Sequence, residues 1–229
     1  MASLINPAAL FFSLIGGIIP AIFWLWFWLR EDGKHPEPPR IIVSTFIAGI
    51  LSIVPTYFAE SYVATQITNP STILIIWALI EEVMKLTAAY VGALHTKFYN
   101  EPIDAPTYLI TAALGFAAAE NFLFIINSQN AISSLLTGSM RFVGASLLHT
   151  LASALIGSFM AVAFNRKYFI RLIAVTVGLL TSTALHTSFN IFIIRSNGGN
   201  ISVVFLSLWL AVIFLLLFLE KLRVEDNYN

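Results

Sequence analysis

The chain has 229 residues, of which 58% are hydrophobic and only 10% are charged, and its 12 basic and 12 acidic residues leave a formal net charge of zero. Ordinary globular domains contain about 25% charged residues, so this composition excludes a soluble domain and predicts a polytopic membrane protein. The zero net charge gives no indication of nucleic-acid binding, and the absence of cysteine excludes disulfides, thiolate nucleophiles and thiolate metal sites.

The apolar segments are long enough for transmembrane helices, which need about 20 mostly apolar residues each. We predict about seven of them, near 8–29, 41–64, 72–95, 107–127, 138–163, 170–194 and 201–220. No Lys or Arg precedes the first segment, and it is too long for the core of a signal peptide, so we expect it to be retained. Because the connections are short, residues 1–229 are predicted to form one membrane-embedded all-α domain.

The basic residues predict the orientation of the bundle. Nine of them lie in alternate connections and in the C-terminal tail, whereas only Arg141 and Arg195 lie on the opposite side. The side rich in Lys and Arg faces the cytoplasm in membrane proteins. We therefore predict an extracytoplasmic N-terminus and a cytoplasmic C-terminus.

Ionisable residues interrupt four of the apolar segments, although a charged group at bilayer depth costs roughly 2.5–3.5 kcal/mol on insertion scales. With a rise of about 1.5 Å per residue, the glutamates and histidines among them fall roughly 10–17 Å below the outer surface. This agreement predicts a single polar site in the outer half of the bundle. Its members are Glu81, Glu82, Lys85, Glu120, His149 and His186.

The third helix carries the motif E81-E82-V-M-K85. Glu81 and Lys85 share a face at i,i+4 spacing, while Glu82 is rotated by about 100° from Glu81. One glutamate can pair with Lys85 in a structural ion pair, and the other can face a cavity as a general base towards water. The spacing does not indicate which glutamate has which role, and an ion pair that only orders the bundle is the alternative hypothesis.

The next three helices contribute the remaining candidates. Gly115 and the alanines before Glu120 favour close helix packing. His149 lies on the fifth helix, and the motif H186-T-S-F-N190 places His186 and Asn190 on one face of the sixth. An isolated intramembrane histidine is often only a hydrogen-bonded core residue, but two at the level of the glutamates favour a shared site. Asn190 can donate to a developing oxyanion or orient His186.

Charge balance restricts the chemistry of this site. Its three glutamates and one lysine leave a formal charge of −2 in a low-dielectric environment, which needs compensation. Either the carboxylates share protons or a divalent cation binds. Glu120, His149 and His186 match a three-ligand zinc set with an open position for water, served by a helix-3 glutamate as base. A metal-free mechanism that uses glutamate and histidine alone is the competing hypothesis.

Several other classes are excluded or disfavoured. The chain has no H-E-x-x-H motif, and its aspartates, Asp32, Asp104 and Asp226, are predicted to lie in loops or the tail, which excludes a paired-Asp protease. A proton-coupled transporter with a Glu/His relay is the alternative function, but no internal repeat supports it. A haem protein ligated by His149 and His186 would leave three glutamates beside an apolar macrocycle. Peptide hydrolysis by a glutamate-activated water is the preferred interpretation.

In order and spacing, these motifs resemble the PrsW family of intramembrane proteases. The similarity spans roughly residues 30–195 and includes the H-P-E-P-P segment at 35–39 and D104-A-P-T-Y108. The family is similar to the wider group of Abi and CAAX-prenyl endopeptidases, whose patterns are EExxxR, FxxxH and HxxxN. Lys85 and Glu120 depart from those patterns, which favours the PrsW branch over prenyl-protein processing.

The resemblance implies cleavage of a membrane-anchored protein near its extracytoplasmic membrane boundary, with an anti-sigma factor as the best-known substrate of the family. Carried over by position, the helix-3 glutamates activate water, Glu120, His149 and His186 complete the site, and Asn190 assists the oxyanion. The implied location is a prokaryotic cell membrane, and the implied partners are the lipid bilayer and the protein substrate. The sequence does not indicate an oligomeric state.

Overall fold

The computed structural model describes residues 7–31, 36–127, 144–196 and 201–226. Over these ranges the chain forms seven α-helices and no strand, which confirms the predicted all-α membrane bundle. The helices are α1 (Pro7–Glu31), α2 (Pro39–Gln66), α3 (Pro70–Ala89), α4 (Asp104–Ile126), α5 (Ser146–Val162), α6 (Tyr168–Ser196) and α7 (Ile201–Asp226). A single π-helical turn, Tyr90–Leu94, continues α3.

Four helices within the described ranges, α1, α2, α4 and α6, are long and apolar enough to cross a membrane. The 20 residues of α3 include three charged side chains, which lower its apolar character. The 17 residues of α5 are apolar but short, and the predicted first part of this helix, 138–143, lies outside the described residues. Both of these helices contribute residues to the predicted polar site.

The helix α4 lies at the centre of the bundle, where it packs against α1, α2 and α5. All of its residues from Asp104 to Ala118 are buried except Thr107, which is half-buried. The helix α3 packs against α2 and α6, and α5 packs against both α4 and α6. This arrangement brings α3, α4, α5 and α6 around one interior region.

Glycine allows α2 and α4 to pack backbone against backbone. A Cβ atom on Gly115 would overlap the carbonyl group of Phe46, and one on Gly49 would overlap the carbonyl group of Ala112. Small residues permit such close approach between membrane helices. For Gly115, the expected close helix packing is therefore present, with α2 as the partner.

The start of α4 joins two segments that carry the family resemblance. The Asp104 carboxylate accepts hydrogen bonds from the backbone N–H groups of Asn100 and Glu101, at 2.8 and 2.7 Å. The Tyr108 hydroxyl donates to the Glu37 carboxylate, so the segment after α1 is bound to α4. Asp104 is buried as the first residue of α4, whereas the sequence placed it in a loop, because these backbone contacts draw it into the helix end.

Candidate active site

The position at which α3 begins determines how deep its charged residues lie within the bundle. Asn69 accepts a hydrogen bond from the Thr72 N–H at 3.1 Å, and Pro70 is the first helical residue. This cap and an N-terminal proline are typical helix-start signals. Glu81 lies eleven residues after Pro70, a rise of about 16 Å along the axis. The charged residues of α3 are consequently held deep within the bundle.

Glu82 is the ion-pair partner of Lys85. The Lys85 Nζ atom lies 2.5 Å from Glu82 Oε1, and both side chains are 0% exposed. The distance from Nζ to Glu81 Oε2 is 3.9 Å. Glu82 also contacts His186 Nδ1 at 2.8 Å and Ser153 Oγ at 3.4 Å. A buried carboxylate with three partners is well compensated.

His149 has partners on both of its ring nitrogens. Its Nε2 lies 2.8 Å from Glu120 Oε2, and its Nδ1 lies 3.0 Å from Lys85 Nζ. An ammonium group only donates hydrogen bonds, so Nδ1 must be the acceptor. The remaining proton then lies on Nε2, which donates to Glu120. These contacts fix the neutral Nε2–H tautomer of His149.

His186 is oriented in the same manner by the other carboxylate. Its Nδ1–H donates to Glu82 Oε1 at 2.8 Å, which leaves the Nε2 lone pair facing Glu81 Oε2 at 3.8 Å. The His149 and His186 rings are nearly perpendicular, with centroids 5.2 Å apart. Histidines that bind metals commonly donate their second N–H to a carboxylate in this way.

Glu81 differs from every other carboxylate of this cluster. Its Oε2 atom lies 3.8 Å from His149 Nδ1 and 3.8 Å from His186 Nε2. This oxygen is buried and makes no hydrogen bond with any described residue. One ligand atom from each of these residues lies within 4.8 Å of the other two. His149 Nδ1 already accepts from Lys85, whereas Glu81 Oε2 and His186 Nε2 are buried electron-pair donors that face each other and need a cation or a proton between them.

The structure brings together six of the predicted site residues but divides them differently from the prediction. The predicted metal set was Glu120, His149 and His186, whereas the group that converges is Glu81, His149 and His186. Glu120 lies behind His149 and contacts the nitrogen that points away from Glu81. The sequence indicates the depth of each residue in the membrane, but it does not indicate which ring nitrogen of a histidine each carboxylate contacts. The assignment of Glu120 as a metal ligand stays a prediction.

Asn190 lies one turn beyond His186 on α6 and is half-buried. No hydrogen bond connects it to the cluster within the described part of the chain. Its predicted role at an oxyanion stays a prediction. Asn121, beside Glu120, is fully buried and its side-chain amide donates to Ser146 Oγ at 3.2 Å.

The sequence analysis did not single out Glu60, which also belongs to this region. Glu60 is half-buried on α2, and its carboxylate interacts electrostatically with Glu120 and Lys85. Its backbone carbonyl accepts a hydrogen bond from the Trp77 indole at 3.1 Å, which binds α2 to α3. The only signal in the sequence was a glutamate inside the predicted span 41–64.

The fold and this cluster define an all-helical membrane protein with a buried carboxylate–histidine site. A family model described as "PrsW family intramembrane metalloprotease" matches residues 37–218. The chain belongs to this family, and it is a peptidase, as the resemblance predicted.

Curated relatives agree with the family assignment. The chain is 26% identical over 167 residues to protease PrsW of Geobacillus kaustophilus, covering 69% of this chain and 72% of that protein. It is 22% identical over 188 residues to protease PrsW of Bacillus subtilis, covering 79% and 82%. It is also 31% identical over 119 residues to protease PrsW of Oceanobacillus iheyensis, covering 50% and 54%. No solved structure matches the chain significantly.

Proposed function

We propose that Glu81 is the carboxylate that activates water for peptide hydrolysis, and that Glu82 and Glu120 are positioning residues for His186 and His149. The observation that carries this proposal is the buried Glu81 Oε2 atom, which lacks a hydrogen bond to the described residues and faces one nitrogen of each histidine. Glu82 is already engaged by Lys85, His186 and Ser153, so Glu81 is the better candidate for the base.

The donor set fits the divalent metal that the family description implies. Glu81 Oε2, His149 Nδ1 and His186 Nε2 are the three atoms that would hold it, since both histidines direct their other nitrogen to a carboxylate. Glu81 would bind the ion through Oε2 alone, which leaves its second oxygen, Oε1, to accept the proton from water. Carboxylate and imidazole ligands with one open position are typical of catalytic zinc. Bound there, such an ion would lower the pKa of a water molecule and polarise the scissile carbonyl.

The residues of the chain carry out the proton transfers of the proposed reaction. The Glu81 carboxylate accepts one proton from the attacking water, whose oxygen forms a bond to the carbonyl carbon of the substrate. Glu81 then returns that proton to the peptide nitrogen as the carbon–nitrogen bond breaks. The products are a new carboxyl group and a new amine, and Glu81 is again ionised.

The position of the cluster supports a cut in the outer half of the membrane. Glu120 lies six residues before the end of α4 and His186 ten residues before the end of α6, which are distances of about 9 and 15 Å. With the orientation predicted from the basic residues, both ends are extracytoplasmic. We propose a multi-pass protease of a bacterial cell membrane that cleaves a membrane-anchored protein, such as an anti-sigma factor, near its outer boundary.

The decisive experiment compares new protein N-termini in membranes that contain wild type, Glu81→Gln or Glu82→Gln at matched expression. We expect Glu81→Gln to reduce cleavage by at least about 100-fold, the size of a general-base contribution, with unchanged helix content. Glu220→Gln, at an exposed position of α7, is the control for loss of a carboxylate and should retain full cleavage. Retained cleavage in Glu81→Gln would refute the assignment of the base.

A further inference from the structure

We infer that Lys85 competes with a divalent metal ion for the Nδ1 atom of His149, and thereby sets the metal affinity of the site. This inference rests on the proposed function, since it concerns the ligand set Glu81, His149 and His186. Lys85 then has a second role beside its ion pair with Glu82. It is a positioning residue whose ammonium group binds the lone pair of a nitrogen that would otherwise bind the metal.

The contacts of His149 make this competition unavoidable. A neutral imidazole has one lone pair, and on His149 it lies at Nδ1 because the Nε2–H group donates to Glu120. Lys85 Nζ lies 3.0 Å from that Nδ1 atom. The same lone pair cannot accept a hydrogen bond from an ammonium group and bind a metal ion. Binding through Nδ1 therefore requires Lys85 to give up this contact.

Lys85 can release His149 without becoming an unpaired buried charge. Its Nζ atom would keep Glu82 Oε1, at 2.5 Å, as its ion-pair partner. The Phe116 ring also lies below the ammonium group, with 5.2 Å between Nζ and the ring centroid, a distance typical of a cation–π contact. One hydrogen bond is lost and two favourable contacts remain, so the ammonium group stays compensated.

The competition also gives the site a selectivity among metal ions. Only an ion with a strong preference for imidazole nitrogen gains enough from Nδ1 to replace the ammonium group. Zinc has this preference, whereas magnesium prefers oxygen ligands and retains its waters. Lys85 is thus expected to weaken zinc binding through the nitrogen ligand while it has little influence on magnesium.

The test is a zinc titration of the purified, metal-stripped full chain in detergent, against a chromophoric chelator. Lys85→Met keeps the length of the side chain and removes the ammonium group. We expect it to bind zinc about ten-fold more tightly, at the lower end of the 10- to 100-fold effects of residues next to metal ligands. Lys97→Met, at a lysine in the connection after α3, removes the same charge away from the site and should bind zinc like wild type.

Three outcomes would overturn the inference. Equal or weaker zinc binding by Lys85→Met, with zinc bound by wild type, refutes the competition and leaves the proposed metal site intact. A gain shared equally by magnesium shows a general charge effect instead of competition for nitrogen. Absence of zinc binding in both proteins refutes the competition and the metal site together, while Glu81-dependent cleavage is still measured separately.

A second pair of variants keeps the test decisive if Lys85→Met fails to fold because Glu82 loses its ion-pair partner. Glu82→Gln and Glu82→Gln/Lys85→Met differ only in the ammonium group, and the glutamine oxygen can still accept from His186 Nδ1. The double variant is expected to bind zinc at least ten-fold more tightly than Glu82→Gln, by the same measure of effects near metal ligands. Equal affinities in this pair would also overturn the inference.

Discussion

Two carboxylate–histidine pairs orient the site, and they differ in their surroundings. The closed pair, Glu82 with His186, is joined at 2.8 Å, and its carboxylate is 0% exposed. The open pair, Glu120 with His149, has the same separation of 2.8 Å, but the Glu120 side chain is 19% exposed. The geometry of the two hydrogen bonds is therefore equal, while access to the carboxylate is not.

The two pairs therefore differ in accessibility: the Glu82 carboxylate is closed off, whereas the Glu120 carboxylate is partly exposed. The closed pair is held by Lys85 and Ser153 in addition to its own hydrogen bond, so it has no capacity left for a substrate. The carboxylate of the open pair is partly exposed. We infer that the closed pair maintains the bundle and the register of α3 against α6, whereas the open pair adjusts His149 next to the reacting groups.

The largest effect is expected when the closed pair is broken. Glu82→Ala removes the nearest carboxylate from Lys85 and leaves Glu81 Oε2 at 3.9 Å as the closest remaining one. Loss of one partner from a buried ion pair typically destabilises by about 3–5 kcal/mol. Glu120→Ala should destabilise by only about 1 kcal/mol, because water can take over the hydrogen bond at a partly exposed position. Unfolding of both purified variants in detergent measures the difference.

The control for this comparison removes both charges of the ion pair. Glu82→Ala/Lys85→Met should be clearly more stable than Glu82→Ala alone, because no uncompensated ammonium group remains in the bundle. Equal destabilisation by Glu82→Ala and Glu120→Ala would show that the two pairs do not differ in structural importance.

A smaller effect is expected on catalysis when the open pair is altered without a change of shape. Glu120→Gln keeps an oxygen acceptor for His149 Nε2–H but removes the negative charge that fixes the ring. Outer-shell carboxylates of this kind contribute about 10- to 100-fold to activity or metal affinity. We expect a loss of that size in the cleavage rate of a reconstituted substrate, with the protein still folded.

Glu60→Gln is the matched control, since the Glu60 carboxyl group interacts electrostatically with Glu120 but is not hydrogen-bonded to a histidine among the described residues. It should reduce the rate by less than Glu120→Gln does. If the two variants lose the same activity, the effect of Glu120 comes from the charge of the region and not from the orientation of His149.

The sequence was sufficient for the helices because apolar length is a strong signal. The segments predicted at 41–64 and 170–194 correspond to α2, Pro39–Gln66, and α6, Tyr168–Ser196. The end of the third segment was also predicted to within one residue: the segment was extended to residue 95, and α3 passes at Ala89 into a π-helical turn that ends at Leu94. A π turn continues the apolar pattern, so hydropathy alone does not mark this boundary.

The membership of the polar cluster was also predictable, because ionisable residues at one depth in several membrane helices rarely occur unless they meet in a shared site. The roles were not. Glu81 and Glu82 are adjacent and both within reach of Lys85 on the same helix, and the packing of α6 against α3 decides that Glu82 is the one that meets His186. Glu60 lies near the end of its predicted segment, where a glutamate is common at the membrane surface, so its position in the sequence does not indicate a site.

The smallest expected effect concerns the third contact of the closed pair. Ser153 Oγ lies 3.4 Å from Glu82 Oε2, a longer distance than those from Glu82 to Lys85 and His186. Ser153→Ala should therefore destabilise the protein by less than about 1 kcal/mol. Its cleavage rate should stay within about two-fold of wild type, a smaller change than the 10- to 100-fold effects of carboxylates next to metal ligands. Ser158→Ala on the same helix is the control, since the Ser158 hydroxyl donates to its own helix at the Ala154 carbonyl, 2.8 Å away. If Ser153→Ala matches this control, Lys85 and His186 alone hold Glu82. If it is as destabilising as Glu82→Ala, the closed pair depends on the hydroxyl group, and the account of the ion pair as its main support is wrong.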